Sequence, residues 1–327
     1  MEKIRAGRMV EVGRMVCELT EPRSPAEGEL LVRTHLASIC GSDLHTVFMG
    51  MNLPKEPLPH GYPGHEGVGE VIESRHEDFA VGDKILAVPV PPNSYCFSEM
   101  QTLHGRFAIK LPDADLPPEQ LMMAQQFGTV IFALRQRPVD VVGKTVMVMG
   151  QGSAGMFFAY MMKRAGAAKV ITSDLSEARL AQSRRMGADV AVKASGRNVY
   201  EAVMDETGGA GAHYVIEAVG ARESFLESVQ LARNGANMLF FGLPDTAEPI
   251  SIDFNAFFRK RITANATYGA QFEPGLVSFR QALDLIVRGE IDMSPLVSHM
   301  LSIEQIDEAM HMAHDRSDNA LKVSLTF

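Results

Sequence analysis

Tryptophan is absent from the 327 residues, and cysteine nearly so, with only Cys17, Cys40 and Cys96. An odd, widely spaced set of thiols offers no disulfide framework, so a core has to hold the fold, and a reducing compartment, the cytoplasm, is expected. No basic run is longer than Arg184-Arg185 or Arg259-Lys260-Arg261, and 31 basic against 40 acidic side chains leave a formal charge of −9. Nucleic acid and anionic membranes are poor partners for that balance. Met1 to Cys17 is punctuated by Glu2, Lys3, Arg5, Arg8, Glu11 and Arg14, which leaves no apolar signal-peptide core. One uncharged stretch, Thr145 to Met162, has the length of a membrane span. It carries Gly150, Gln151, Gly152, Ser153 and Gly155 in its middle and reads as strand, turn and helix instead. Internal repeats and low-complexity tracts are also missing.

What is present is ordinary globular material, 46% hydrophobic and 22% charged, in a chain about twice the ~150 residues typical of one domain. Two domains are expected. The twenty methionines are adaptable core filler. Up to about residue 115 the chain shows short β-like segments bounded by turn residues: Glu29–Thr34, Gly67–Glu73 and Lys84–Val90. From Pro117 the pattern changes. Pro118-Glu119-Gln120 opens a helix expected to run to Arg137, and strands then alternate with helices: Thr145–Met149, Ser153–Ala165, Val170–Ser173, Ser176–Met186, Tyr214–Val219, Phe225–Ala232 and Met238–Phe241. That rhythm implies an α/β fold with a parallel, doubly wound sheet. Helices Leu276–Arg288 and Ile303–Ala313, the second opened by the capping box Ser302-x-x-Gln305, and a strand Leu321–Leu325 close the sequence.

Gly150-Gln151-Gly152-Ser153-Ala154-Gly155 matches G-x-G-x-x-G, follows an apolar strand directly and opens an apolar helix, and Asp174 ends the next strand. In that context the first glycine permits the turn, the second lets backbone approach a pyrophosphate, and the third lets helix and strand pack closely. The N–H groups of Ser153, Ala154 and Gly155 would face the phosphates. Asp174 favours NAD over NADP, since a carboxylate accepts a ribose 2′-OH and repels a 2′-phosphate, and Leu175-Ser176-Glu177 offers no cation. Asp174 as a plain helix cap remains the alternative. Arg179 either stacks on adenine or is a solvated helix residue.

In the β-rich half, Cys40-Gly41-Ser42-Asp43-Leu44-His45 is followed by Gly64-His65-Glu66. A thiolate and an imidazole suit Zn²⁺, and a catalytic zinc takes three protein ligands and keeps one open position. The order Cys-Gly-Ser-Asp-x-His, Gly-His-Glu-x-x-Gly, Gly82-Asp83 and a later G-x-G-x-x-G resembles the zinc-dependent medium-chain alcohol and polyol dehydrogenases over essentially the whole chain. The resemblance implies a GroES-like, mostly β catalytic domain built from residues 1–125 and 268–327, with a Rossmann NAD-binding domain, 126–267, inserted. It further implies Cys40 and His65 as zinc ligands, Asp43 orienting His65, Glu66 beside the metal, Ser42 and His45 as a proton relay, and Lys322 as a basic residue reaching the active site or cofactor.

Two departures stand out. Between Gly82 and Lys110 only Cys96 remains of the cysteines that family members often use for a structural zinc, so a single catalytic zinc is expected and Cys96 reads as core. The third catalytic ligand falls on Gln125, a neutral amide that binds zinc more weakly than thiolate or carboxylate, so either Gln125 or Glu66 completes the site. His60 is expected in a surface loop, His311 and His314 as solvated residues, and Phe48 and Met49 as packing or pocket lining. The function implied is NAD-dependent, zinc-assisted interconversion of a secondary alcohol, polyol or sugar-like hydroxyl and its carbonyl. A metal-free NAD(P)H reductase of the same fold and a catalytically silent NAD-binding protein are the alternatives. A homodimer or homotetramer is expected, through an edge strand at Ile262–Tyr268.

Overall fold

The computed structural model describes residues 2–51 and 53–327, so Met1, where the first expected domain starts, lies outside them. The chain divides into two units. One runs to Ile131 and resumes over Gly269–Phe327, and the other is Phe132–Tyr268.

The first unit begins with a hairpin, β1 (Ile4–Glu11) and β2 (Arg14–Thr20), turned at Gly13 with φ +85°. There follow β3 (Glu29–Ser38), α1 (Gly41–Met49), β4 (Gly67–Ser74), β5 (Lys84–Ala87), β6 (Met100–His104), β7 (Ala108–Lys110), α2 (Pro118–Met122) and α3 (Ala124–Gln136). The single helix expected from Pro118 to Arg137 is thus two, separated at Met123, and the boundary between the units falls inside the second.

The inserted unit holds β8 (Thr145–Met149), α4 (Ser153–Arg164), β9 (Lys169–Asp174), α5 (Glu177–Arg185), β10 (Val190–Lys193), α6 (Asn198–Glu206), β11 (Ala212–Glu217), α7 (Arg222–Leu231), β12 (Ala232–Phe240), α8 (Phe254–Arg259) and β13 (Thr263–Ala266). Its six strands lie in the order β10-β9-β8-β11-β12-β13 with every pairing parallel. Residues 146–149 of β8 are buried without interruption, as a strand covered on both faces requires. Met147, Ile171, Val215 and Met238 from four neighbouring strands share a core with Val203 and Val229 from the helices. The strand order reverses direction between β8 and β11, the crevice where doubly wound sheets take ligands at their strand C-termini.

The chain then returns to the first unit with α9 (Val277–Val287), β14 (Val297–Ser302), α10 (Ile306–Asp315) and β15 (Lys322–Thr326). The expected capping box is formed by Ser302 and Gln305. β15 pairs antiparallel with β3, and the sheet runs β14-β15-β3-β4-β5-β7 with β6 also on β3. The fold is therefore α/β, a mostly β unit with a parallel-sheet unit inserted. Among the described residues, no helix is long and apolar enough to cross a membrane.

Candidate functional site

In the first unit, β3 ends at Ser38 and the chain turns into α1 with Cys40 at the helix cap. The Cys40 backbone N–H donates to Asp43 Oδ2 at 2.9 Å, and the other oxygen of that carboxylate lies 2.8 Å from His65 Nδ1. One buried carboxylate therefore fixes both the cysteine backbone and the histidine ring. This leaves His65 Nε2 facing the Ser42 hydroxyl at 3.3 Å. The ligand atoms of Cys40, His65 and Glu66 all lie within 4.8 Å of one another.

Glu66 is buried and its Oε2 is engaged twice, by the Ser38 hydroxyl, which donates to it, and by the ammonium of Lys322. Its Oε1 is buried with no hydrogen-bond partner among the described residues. Thiolate, imidazole and carboxylate make a donor set that zinc accepts, and a buried carboxylate oxygen without a partner is one that a cation would satisfy. The side chains fit the metal.

Charge coupling in this cluster is strong because water is excluded. Burial alone would push the His65 imidazole down, but the Asp43 carboxylate outweighs it and holds the ring well above its ordinary value. Burial would likewise raise Glu66, yet Lys322 and His65 bring it below the usual carboxylate range. Lys322 is 2% exposed, and Glu66 and Cys40 together raise its ammonium against the effect of burial.

The other residues singled out in the sequence take the following places. Lys322, expected to reach the active site or the cofactor, has its buried ammonium against Glu66. Gln125 is buried, but its amide nitrogen donates to the His65 carbonyl at 3.4 Å, while the Glu66 carboxylate stands among the converging donors. His45 follows Ser42 on α1 and is half-buried. His60 pairs with Glu18 at 2.8 Å. His311 and His314 are exposed, as expected, and their rings also lie against Phe48 of α1, with centroids at 5.0 and 4.1 Å. Cys96 is in the core, its thiol pushed up to about 12 by burial. Ser38 was missed, since a serine ending an apolar strand carries no sequence signal.

The second unit carries the glycine turn. Gly150 has φ +83°, and a side chain there would meet Val219 Cγ2 at 2.8 Å and the Ala218 carbonyl oxygen at 3.0 Å. A Cβ on Gly155 would stand 1.8 Å from the Gly150 oxygen, so only glycine lets α4 close on the turn. A Cβ on Gly152 would meet nothing within 4 Å. Gly152 caps α4 without a side chain, so the N–H groups of Ser153, Ala154 and Gly155 begin the helix beside open space, the arrangement an anion needs. These residues fit a dinucleotide pyrophosphate.

Asp174 closes β9. Its Oδ2 accepts the Gln151 N–H at 2.7 Å and its Oδ1 the Ser176 N–H at 2.8 Å. The cap of α5 is Ser176, whose hydroxyl accepts from the Arg179 N–H, so Asp174 is not that cap. Each Asp174 oxygen keeps acceptor capacity beyond its one backbone bond. Arg179, 8% exposed, is not a solvated helix residue.

Comparison with known proteins supports the same two parts. Residues 26–113 match the family model for an alcohol dehydrogenase GroES-like domain, and residues 154–288 that for a zinc-binding dehydrogenase. The chain is 25% identical over 317 residues to an L-threonine 3-dehydrogenase of Deinococcus deserti, covering 88% of this chain and 89% of that one. It is 26% identical over 371 residues to an alcohol dehydrogenase of Cupriavidus necator, covering 98% of each. Among solved structures, alcohol dehydrogenase TADH from Thermus sp. ATN1 superposes with a TM-score of 0.82 at 25% identity, over 99% of both chains.

Proposed function

Since the chain belongs to the zinc-dependent medium-chain dehydrogenase family, we propose that it interconverts a secondary alcohol, polyol or sugar-like hydroxyl and its carbonyl, using NAD and one zinc ion held by Cys40, His65 and Glu66. The observation that carries this reading is the convergence of thiol, imidazole and carboxylate within 4.8 Å, with one carboxylate oxygen left unpartnered. A zinc ion there supplies Lewis acidity, which lowers the pKa of a substrate hydroxyl toward neutrality. The remaining work falls to the chain's own side chains. Asp43 fixes the ring of His65 so that Nε2, not Nδ1, faces the site. Lys322 and Ser38 keep Glu66 ionised in a buried place. Ser42 and His45, three positions apart on α1, carry the proton outward, and an imidazole can exchange it with solvent near neutral pH.

Gly150, Gly152 and Gly155 admit the pyrophosphate, and Asp174 selects the unphosphorylated ribose, favouring NAD over NADP. Threonine and alcohol dehydrogenases among the relatives support a small hydroxyl-bearing substrate. The edge position of β13 supports a homodimer or homotetramer. The test is elemental analysis of the purified protein, followed by NADH formation across a panel of alcohols and polyols. One zinc per chain with NADH formation is expected. Full turnover after chelation removes the zinc from this reading, and turnover with NADP alone removes the NAD.

A further inference from the structure

The middle residue of a G-x-G turn contributes only backbone to the fingerprint, yet Gln151 is fully buried and every polar atom of its side chain is used. Its Nε2 donates to the Gly150 carbonyl at 2.7 Å and to the Val148 carbonyl at 3.3 Å. Its Oε1 accepts from the Ser183 hydroxyl at 2.8 Å, and Ser183 Oγ lies 3.0 Å from Thr172 Oγ1. Ser183 and Thr172 are themselves fully buried, on α5 and β9. This polar chain ties the turn after β8 to the strand and helix on either side of Asp174. The same residue's backbone N–H is one of the two donors that pin the Asp174 carboxylate, the other being the Ser176 N–H on the opposite oxygen.

A carboxylate held at both oxygens has a fixed plane and presents its remaining lone pairs in one direction, the requirement for accepting two adjacent hydroxyls. Without the side-chain anchor, residue 151 gains conformational freedom, its N–H leaves Asp174, and the carboxylate can swing aside. We propose that Gln151, anchored by Ser183, is a specificity-determining positioning residue that orients Asp174 toward a ribose diol and against a 2′-phosphate. The inference rests on the NAD reading above and names the device that enforces it.

A merely structural role in shaping the phosphate turn would weaken both dinucleotides alike, because both carry the same pyrophosphate. The ratio of affinities separates the two roles. NADH and NADPH binding is titrated by fluorescence for the wild type, Gln151→Leu, Ser183→Ala and the double variant. Gln151→Leu is expected to lose about tenfold in NADH affinity, the scale of one charge-assisted hydrogen-bond geometry, with NADPH affinity unchanged or improved. Ser183→Ala shifts the ratio the same way by about threefold, and the double variant is no worse than Gln151→Leu because the two act through one contact. Should Gln151→Leu fail to fold, Ser183→Ala decides alone. An unchanged ratio, whether both affinities fall together or neither moves, overturns the proposal. A wild type with no preference for NADH overturns the NAD reading and this inference with it, whereas a preferring wild type with unmoved variants overturns only the inference.

Discussion

Glu66 and Lys322 form an ion pair with both side chains almost wholly out of water, an arrangement that is costly to break from one side. Lys322→Met leaves a carboxylate buried without its cation and is expected to cost about 3–5 kcal/mol in urea unfolding, while adding Glu66→Gln to it should recover most of that loss. If the double variant is no more stable than Lys322→Met, the charge account fails. Metal retention gives an independent order. Cys40→Ser removes a soft anionic donor and should abolish zinc binding, Glu66→Gln should weaken it strongly, and Gln125→Ala, whose amide faces the His65 carbonyl, should retain nearly all of it. Metal analysis showing Gln125→Ala as depleted as Cys40→Ser reverses the assignment. Cys40, Ser42, Asp43, His65 and Glu66 were legible in the sequence because two short motifs contain them. Lys322 came only from the family resemblance and without its partner, and Ser38 not at all, because a lysine opening a strand and a serine closing one look solvated until tertiary contacts bring them together. Gln151 escaped for a related reason: the fingerprint specifies its backbone and is silent on its side chain.

Among the elements, the glycine turn and α4 yield a contrast that separates folding from binding. Gly152→Ala adds a methyl group into open space and should leave the melting temperature unchanged while, on the proposed cofactor placement, weakening NADH binding by about tenfold or more. Gly155→Ala collides with the Gly150 carbonyl and should lower stability itself. Calorimetry and titration on both variants check this, and a destabilised Gly152→Ala would contradict it. Where α10 is entered, the Ser302 hydroxyl, the helix backbone and Arg5 hold Glu304 down to about 2. A carboxyl depressed in the folded state contributes stability above its unfolded value, and that contribution is lost as pH falls toward 2. Replacing Glu304 with Gln should therefore flatten the acid limb of the stability curve, read by unfolding between pH 5 and about 2. β8 was read to the residue because an apolar run met glycine at its end. The break at Met123 was not, for neither proline nor glycine marks it, and β12 was expected to begin late because Ala232 continues a helical pattern. The β1–β2 hairpin was missed because its charged residues interrupt the alternation.

On the scale of the whole molecule, the switch in composition at Pro117 signalled two kinds of structure, whereas the insertion of one unit within the other came from family resemblance, since no periodicity reports which distant strands pair. β13 ends the parallel sheet with an open edge, and α8 beside it in sequence leaves Phe254 and Phe258 65% and 71% exposed. An open strand edge and exposed apolar rings each favour self-association. The protein should sediment as a dimer or larger at micromolar concentration, and Phe254→Asp with Phe258→Asp should shift it toward monomer. A monomeric wild type refutes the assembly. The interleaved path has a further outcome at the ribosome. Residues 132–268 emerge as one uninterrupted stretch and can fold while synthesis continues, but the end of β3, Leu36 to Ser38, waits for β15 to pair with it and Glu66 waits for Lys322 to neutralise it. Until residue 322 has left the ribosome, the nascent chain carries a short unpaired strand end and a carboxylate still in need of water, the conditions under which new chains associate wrongly. The candidate metal site thus matures last, and a translational stall ahead of that lysine should yield aggregate rather than folded protein.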